Sequence, residues 1–447
     1  MLYMNKSKII YWVLGAVLGL WIQSCTRVVN VAPLRVPDNS GDTTHDVRKV
    51  LDSVPQFGLF AYACSKVGVT GGLQPNAFYT LFVPTDSAMQ AAGLTQSGID
   101  GLSTDSLTKI VQYHITYGAL ADTVLNNALV SVQQSCLLQT TLFSPQGSYA
   151  PGYYTYKHSL YVKTYNGQLN VNGWMVNASE TAIPASNGYL YAIDEVLIPP
   201  VKKVSDIIFT QPEFTCYATA INTIDSIYNS IYADRGIEDT LLFSFLNNEE
   251  GVPTNGASYS PIARYPTVFA PTNTAFANAG LANEAAVRQW ILSTVRVDTI
   301  WFDPTDYVLS PVPGQGYYYV NGQLNYGFNF VTTDSIIKAH FLLPTTEVGG
   351  QAFAAMLCYN DLTECPSINS GILNQSSLYT NSVTVNSIAP FRLKYHADGN
   401  GVLNIQWNAA GTNNAVVPLD KNQGVQQRSF WTMNGVIYAT DQLFYQP

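Results

Sequence analysis

The chain has 447 residues, enough for two or three domains with ample core. Hydrophobic residues make up 47% and charged ones only 11%, with a net charge of −9, against roughly 25% charged in ordinary soluble proteins. The acidic balance excludes a nucleic-acid binder, which needs a basic face for phosphate, and so little charge fits an exported protein better than a cytosolic enzyme.

The N-terminus reads as an export signal. Lys6 and Lys8 precede an almost wholly apolar run from Ile9 to Ile22, too short to span a bilayer comfortably and the right length for a signal peptide. It ends at Ile22-Gln23-Ser24-Cys25. A small residue before Cys resembles the lipobox of bacterial lipoproteins, although Gln23 departs from its usual small residue. That resemblance implies cleavage before Cys25, lipidation of Cys25 and attachment to a membrane through the lipid; an uncleaved anchor is the other reading. Residues 1–24 are thus expected to be a lipoprotein signal peptide. Residues 25–44, with Pro33, Pro37 and Gly41, are expected to be the lipidated Cys and a flexible tether.

Residues 45–200 form the first unit. Val47 to Gly68 has the apolar spacing of a helix, interrupted at Pro55-Gln56-Phe57. Thr80 to Leu94 reads as a buried strand, a turn at Pro84, and a helix. Thr85 caps that helix, Asp86 sits in its first turn and Gly93 stops it. A further helix ends at Tyr113-His114, and Asn187 to Asp194 is a closing strand.

Residues 201–447 repeat the landmarks in the same order. Val204 opens a helix broken at Pro212-Glu213-Phe214, and Thr267 to Leu281 repeats the corner with Pro271, Thr272, Asn273 and Gly280. The two corners share eight of fifteen positions. A helix from Thr333 ends at Ala339-His340, and Asn434 to Asp441 closes the unit. From Thr to His is 34 residues in the first copy (114 − 80) and 73 in the second (340 − 267), so the second carries a long insertion. That insertion is rich in aromatics, with Trp301, Tyr317, Tyr318 and Tyr319; Tyr153 and Tyr154 belong to an aromatic loop of the first copy.

Together these landmarks resemble the fasciclin domain. Its first signature is similar to Thr80–Leu94 and Thr267–Leu281, its Tyr-His to Tyr113-His114, and its closing strand to Asn187–Asp194 and Asn434–Asp441. The resemblance implies an α+β fold, two tandem fasciclin-like domains, each a β-strand wedge with packed helices. It implies adhesion or surface contact, with no catalytic residue, cofactor or metal. In animal members the Tyr-His region has been linked to integrin binding; Ala339 replaces the tyrosine in the second unit, and that role is not carried over.

The residues themselves agree. His114 and His340 read as helix-end residues that bond backbone and fix helix to strand, with titration, metal binding or partner contact as the sharper alternative. Asp86 is matched by Asn273, which cannot act as a base, so first-turn capping explains both. No G-x-S-x-G, H-E-x-x-H, Walker loop or paired glycine fingerprint is present. Cys64 and Cys216 read as core residues, and Cys358 and Cys365 bracket a loop that a local disulfide would close. Tyr153, Tyr154, Trp301, Tyr317, Tyr318 and Tyr319 are the candidate ligand surface, since their faces stack on sugar or peptide. Asp-Ser/Thr-apolar triplets, such as Asp52-Ser53-Val54, resemble an acceptor motif for O-glycosylation in some Gram-negative bacteria.

The expectation is a lipid-anchored adhesion or interaction protein of a Gram-negative cell envelope, held at the outer membrane with either the periplasmic or the surface face open, that binds a protein or glycan outside the cytoplasm. The alternative is a glycan-binding accessory protein of a polysaccharide-uptake system.

Overall fold

The computed structural model describes residues 44–128, 130–144, 152–165, 167–176, 181–233 and 267–295, strands and short segments between 299 and 417, and residues 429–444. The leader, Cys25 and nearly all of the tether lie outside the described residues, as does Cys365. Among the described residues no helix is long and apolar enough to cross a membrane.

In the first unit the helices are α1 (Val47–Ser53), α2 (Gly58–Lys66), α3 (Val69–Gly72), α4 (Asp86–Ala91), α5 (Gln96–Gly101), α6 (Thr104–Tyr113) and α7 (Asp122–Asn127). The strands are β1 (Tyr79–Pro84), β2 (Ile115–Tyr117), β3 (Val132–Ser144), β4 (Gly152–Tyr165), β5 (Gln168–Val171), β6 (Trp174–Met175), β7 (Ile183–Ala185) and β8 (Gly188–Ile193). They form one sheet in the order β6-β5-β4-β3-β2-β1-β8-β7. The expected break between the first helices is a 3₁₀ turn at Pro55–Phe57, where proline supplies the fixed φ of a first turn.

β1 is the axis of the unit. It runs parallel to β8 and antiparallel to β2, and every one of its residues is buried. Alternate side chains of a strand point to opposite faces, so β1 serves two cores. Leu81 and Val83 pack with α1, α2 and α6 through Leu51, Phe60 and Val111. Phe82 turns the other way, among Tyr113, Leu160, Val162 and Tyr191.

The second unit reuses this plan. Its described helices include α8 (Val204–Thr210), α9 (Thr215–Ala233), α10 (Asn273–Asn278), α11 (Glu284–Ser293) and α12 (Tyr359–Glu364). Strand β9 (Thr267–Pro271) is the counterpart of β1. The insertion after α11 supplies β10 (Thr299–Phe302), β11 (Tyr307–Leu309), β12 (Tyr317–Tyr319) and β13 (Leu324–Tyr326). Then come β14 (Phe341–Leu342), β15 (Thr345–Val348), β16 (Gln351–Ala354), β17 (Ile372–Asn374), β18 (Leu378–Thr380) and β19 (Val383–Val385). The last are β20 (Phe391–Ala397), β21 (Leu403–Trp407), β22 (Asn414–Val417), β23 (Ser429–Trp431) and β24 (Val436–Thr440).

The order β14-β9-β24-β23 repeats β2-β1-β8-β7, with β9 and β24 again parallel. The order β17-β20-β21-β22 repeats β3-β4-β5-β6, and α12 packs on β20 as α7 packs on β4.

The bonding is equally matched. Thr85 Oγ1 accepts from Ala88 N (3.3 Å) and Thr272 Oγ1 from Ala275 N (3.4 Å), capping α4 and α10. Gly93 and Gly280, at φ +76° and +85°, end those helices in the left-handed region. Asn187 Oδ1 accepts from Val47 N and Asn434 Oδ1 from Val204 N, both at 2.9 Å. Thr80 Oγ1 accepts from Leu120 N (2.9 Å) and Thr267 Oγ1 from Leu357 N (3.0 Å). Tyr191 and Tyr438 then donate to the carbonyls of Leu120 and Leu357. These bonds make Leu120 and Leu357 equivalent, and with them α7 and α12.

Candidate functional site

The motif positions face inward. Pro84, Pro271, Thr85 and Thr272 are buried, while Asp86 and Asn273 are half-buried. Tyr113, His114 and His340 are each 0% exposed.

Each histidine is a staple between backbones. Leu197 N–H donates to His114 Nε2 (2.9 Å), which leaves the ring proton on Nδ1 to be donated to Ile110 O (2.8 Å). In the second unit Phe444 N–H donates to His340 Nε2 (3.2 Å), and Nδ1 donates to Phe269 O (2.7 Å). The main-chain carbonyls of His114 and His340 each accept from the central strand, at Phe82 N and Phe269 N, both 2.9 Å. Burial pushes the His114 imidazole down to about 4 and that of His340 to about 3, so both are neutral near pH 7. With both ring nitrogens bonded to backbone, neither ring presents a lone pair to a metal or substrate. Each imidazole ties the end of a helix or strand to another backbone segment.

Asp86 and Asn273 act differently from the expected cap of their own helix. Asp86 Oδ1 accepts from Leu59 N (2.8 Å), at the start of α2. Asn273 Oδ1 accepts from Cys216 N (3.0 Å), and its Nδ2 donates to Pro212 O (2.9 Å). Each side chain therefore caps a neighbouring helix, whose first N–H groups have no partner of their own. Only an acceptor oxygen is needed, which is why Asp and Asn interchange.

Asp441 Oδ1 accepts from Thr272 Oγ1 (2.6 Å), beside the cap of α10. The thiols of Cys64, Cys136, Cys216 and Cys358 are free and buried. Burial raises all four, which makes them inert rather than nucleophilic. Among the described residues no group of His, Cys, Asp and Glu is placed to hold a metal.

The aromatic segments expected to be loops are strands. Tyr153 and Tyr154 lie on β4, opposite Phe143 and Leu142. Tyr156, two residues on, is buried. The insertion forms nested antiparallel pairs, β10 with β13 outside β11 with β12. Tyr307 pairs with Tyr319, and Trp301 with Asn325. For Tyr153, Tyr154, Trp301 and Tyr317–Tyr319 the side chains lie outside the described residues. Of the modification triplets, Ser53, Thr123 and Ser226 are exposed, while Asp239-Thr240 and Asp298-Thr299 fall wholly or partly outside the described residues.

Sequence reasoning missed the residues that join the two units. Tyr113 is the pointer: its hydroxyl accepts from Asn172 Nδ2 (3.2 Å) and is hydrogen-bonded by Trp431 of the second unit. The tyrosine kept only in the first unit is thus spent on the neighbouring unit, together with Ser131, Trp174, Tyr359, Asn360 and Asp361.

Residues 55–199 match the family model of the Fasciclin domain. Protein sll1483 of Synechocystis sp. is 25% identical over 162 residues, which is 36% of this chain and 77% of that protein. Among solved structures, a FAS1 domain pair from the insect cell adhesion molecule Fasciclin I aligns with 87% of this chain and 97% of its own, at 14% identity and a TM-score of 0.30. Fasciclin domains are associated with adhesion or interaction and are not enzymes as a class. Residues 55–199 match the fasciclin domain, and the second unit repeats the bonding frame of the first, so the chain is built as a tandem of fasciclin-like units.

Proposed function

We propose that this chain is an extracytoplasmic adhesion or interaction protein, held to the cell envelope of a Gram-negative bacterium by a lipid on Cys25. The observation that carries the reading is the inward turn of the motif chemistry. His114, His340, Thr85, Thr272, Asp86 and Asn273 each bond the protein's own backbone. Function then belongs to the outer surface, as it does for adhesion-type domains.

Protease shaving of intact cells tests the placement. Release of fragments from living cells is expected, and complete protection would put the protein in the periplasm and overturn direct adhesion. Retention of the purified protein on cells or matrix, lost when the ribbon 299–326 is deleted, is the expected adhesion result.

A second reading has its own observation. The β11–β12 register sets Tyr307 opposite Tyr319 and Tyr318 opposite Val308, which gathers four tyrosines on one hairpin, and tyrosine faces suit stacking on sugar rings. It would make the protein a glycan-binding accessory of polysaccharide uptake. Saturable binding on a glycan array, lost on Tyr317→Ala or Tyr318→Ala, favours this reading. No binding to any glycan excludes it.

A further inference from the structure

Tandem units usually move relative to one another unless the surface between them is large and dry. Here the contact is desolvated and specific. Asp361 of α12 is 0% exposed; its Oδ1 accepts from the Ser131 amide (2.7 Å) and the Ser131 hydroxyl (3.0 Å), and its Oδ2 accepts from Cys358 N (3.0 Å). Asn360 Nδ2 adds a bond to Ser131 Oγ (3.3 Å). Burial pushes the Asp361 carboxyl up, while the bonds from Ser131 and Cys358 and the nearby Lys163 ammonium of β4 pull it back. A buried carboxylate with three donors and a cation near it is expensive to expose to anything but the same partners.

Aromatic contacts flank this bolt. Tyr359 stacks on Trp174 with ring centroids 5.8 Å apart and planes 7° apart. Trp431 meets Tyr161 edge-on at 5.6 Å, and Tyr156 donates its hydroxyl proton to the Met433 carbonyl. Gly173 lies at the closest approach. Its φ is +91°, and a Cβ there would fall 2.9 Å from Tyr359 N, so only glycine lets α12 sit down on the β5–β6 turn.

The duplication shows that this contact is not a generic property of the fold. Through the equivalence of Leu120 with Leu357, the docking residues Tyr359, Asn360 and Asp361 stand where the first unit has Asp122, Thr123 and Val124. Through the equivalence of Asn187 with Asn434, Trp431 and Met433 stand where the first unit has Pro184 and Ser186. Beneath them the frame is unchanged: Leu125 and Leu362 are both 0% exposed at matching places. Change at the docking positions over a constant core marks a surface specialised for one partner.

We propose that this seam is a built latch: Asp361, Ser131 and Gly173 lock the two fasciclin-like units into one rigid body, and the second copy has diverged at its docking face to fit the first. The pair then presents its outer ribbons in one fixed relative orientation. Because the first unit lacks the docking residues, the association is one-directional and stops at two units.

Hydrogen exchange on the full chain, read peptide by peptide, tests the latch. In the native protein the Ser131 amide is expected to exchange slowly. Asp361→Asn replaces an acceptor by a donor, and Gly173→Ala forces α12 away. In both, the peptide containing Ser131 is expected to exchange at least about tenfold faster, while β1 and β9 keep native protection. A native Ser131 amide that exchanges like an open chain overturns the latch. Unchanged protection in both variants overturns it too. Parallel loss of protection in β1 and β9 would make the seam inseparable from the unit cores, and that also overturns it.

Discussion

Mild acid is the perturbation that the two buried histidines respond to most directly. In the unfolded chain a histidine takes up a proton near 6.5, whereas in the folded protein burial holds His114 down to about 4 and His340 to about 3. Both folded values are depressed, so the stability these rings contribute is complete above about pH 6.5 and is lost as pH falls from there toward each folded value. Over that window the unfolded state holds one more proton per histidine, and the loss is about 1.4 kcal/mol per pH unit for each. Between pH 7.5 and pH 5.0 the second unit should therefore lose about 2 kcal/mol, equivalent to a melting point roughly 4–8 °C lower for a unit of this size, and the first about twice as much, because burial also holds His158 of β4 down to about 4. Asp361 works the other way, because burial raises it and the folded state takes up its proton first as the solution is acidified. The assay is thermal unfolding followed by circular dichroism at the two pH values, repeated on His114→Gln. In that variant the first unit should be less stable at pH 7.5 and should lose only about half as much as the native unit on going to pH 5.0, because His158 still titrates. A native protein with the same melting point at both pH values, or a variant as pH-sensitive as the native chain, would refute the neutral, doubly bonded imidazoles.

Two further substitutions probe the repeated frame. Asp86→Asn should be nearly neutral in thermal unfolding, since Asn273 serves the matching place, while Asp86→Ala leaves Leu59 N without its acceptor and should cost about 1–2 kcal/mol. Equal effects of the two substitutions would show that charge, not acceptor geometry, matters there. At Gly188 a Cβ would fall 1.8 Å from Tyr79 O, inside the parallel β1–β8 pair. Gly188→Ala should leave the first unit unfolded by near-ultraviolet circular dichroism and open to proteolysis, and a stable, protected variant would mean that β1 and β8 do not lie as described.

The corner that defines each unit was readable because everything it needs is local. A buried strand, Pro84, a Thr85 cap and Gly93 follow one another within fifteen residues, and so do their counterparts from Thr267 to Leu281. The histidines stand at helix ends, where a bond to backbone is the ordinary use of an imidazole, and Asn273 at the position equivalent to Asp86 argues separately against acid–base chemistry there. The two sets of tyrosines were misread as loops: proline and glycine surround Tyr317–Tyr319, and only the pairing with Tyr307–Leu309 reveals a ribbon. The seam was hidden for a different reason. Ser131, Gly173, Tyr359 and Trp431 come from four separate segments, and the telling comparison, Asp122–Val124 against Tyr359–Asp361, needs an alignment that the second copy's extra hairpin of β15 and β16 displaces. The hydrogen bonds of Thr80 and Thr267 restore it.

The parallel marriage of β1 with β8, and of β9 with β24, has a consequence for how such a chain grows. In each unit the central rib is completed only when the final strand arrives, at Gly188–Ile193 and again at Val436–Thr440. Whatever lies between the two ribs is a loop in the topological sense, and lengthening a loop raises the cost of closing it only logarithmically. An ancestral unit could thus accept new hairpins between its ribs without renegotiating its keel. The same arrangement demands that a nascent unit wait, unfinished, until its last strand has emerged.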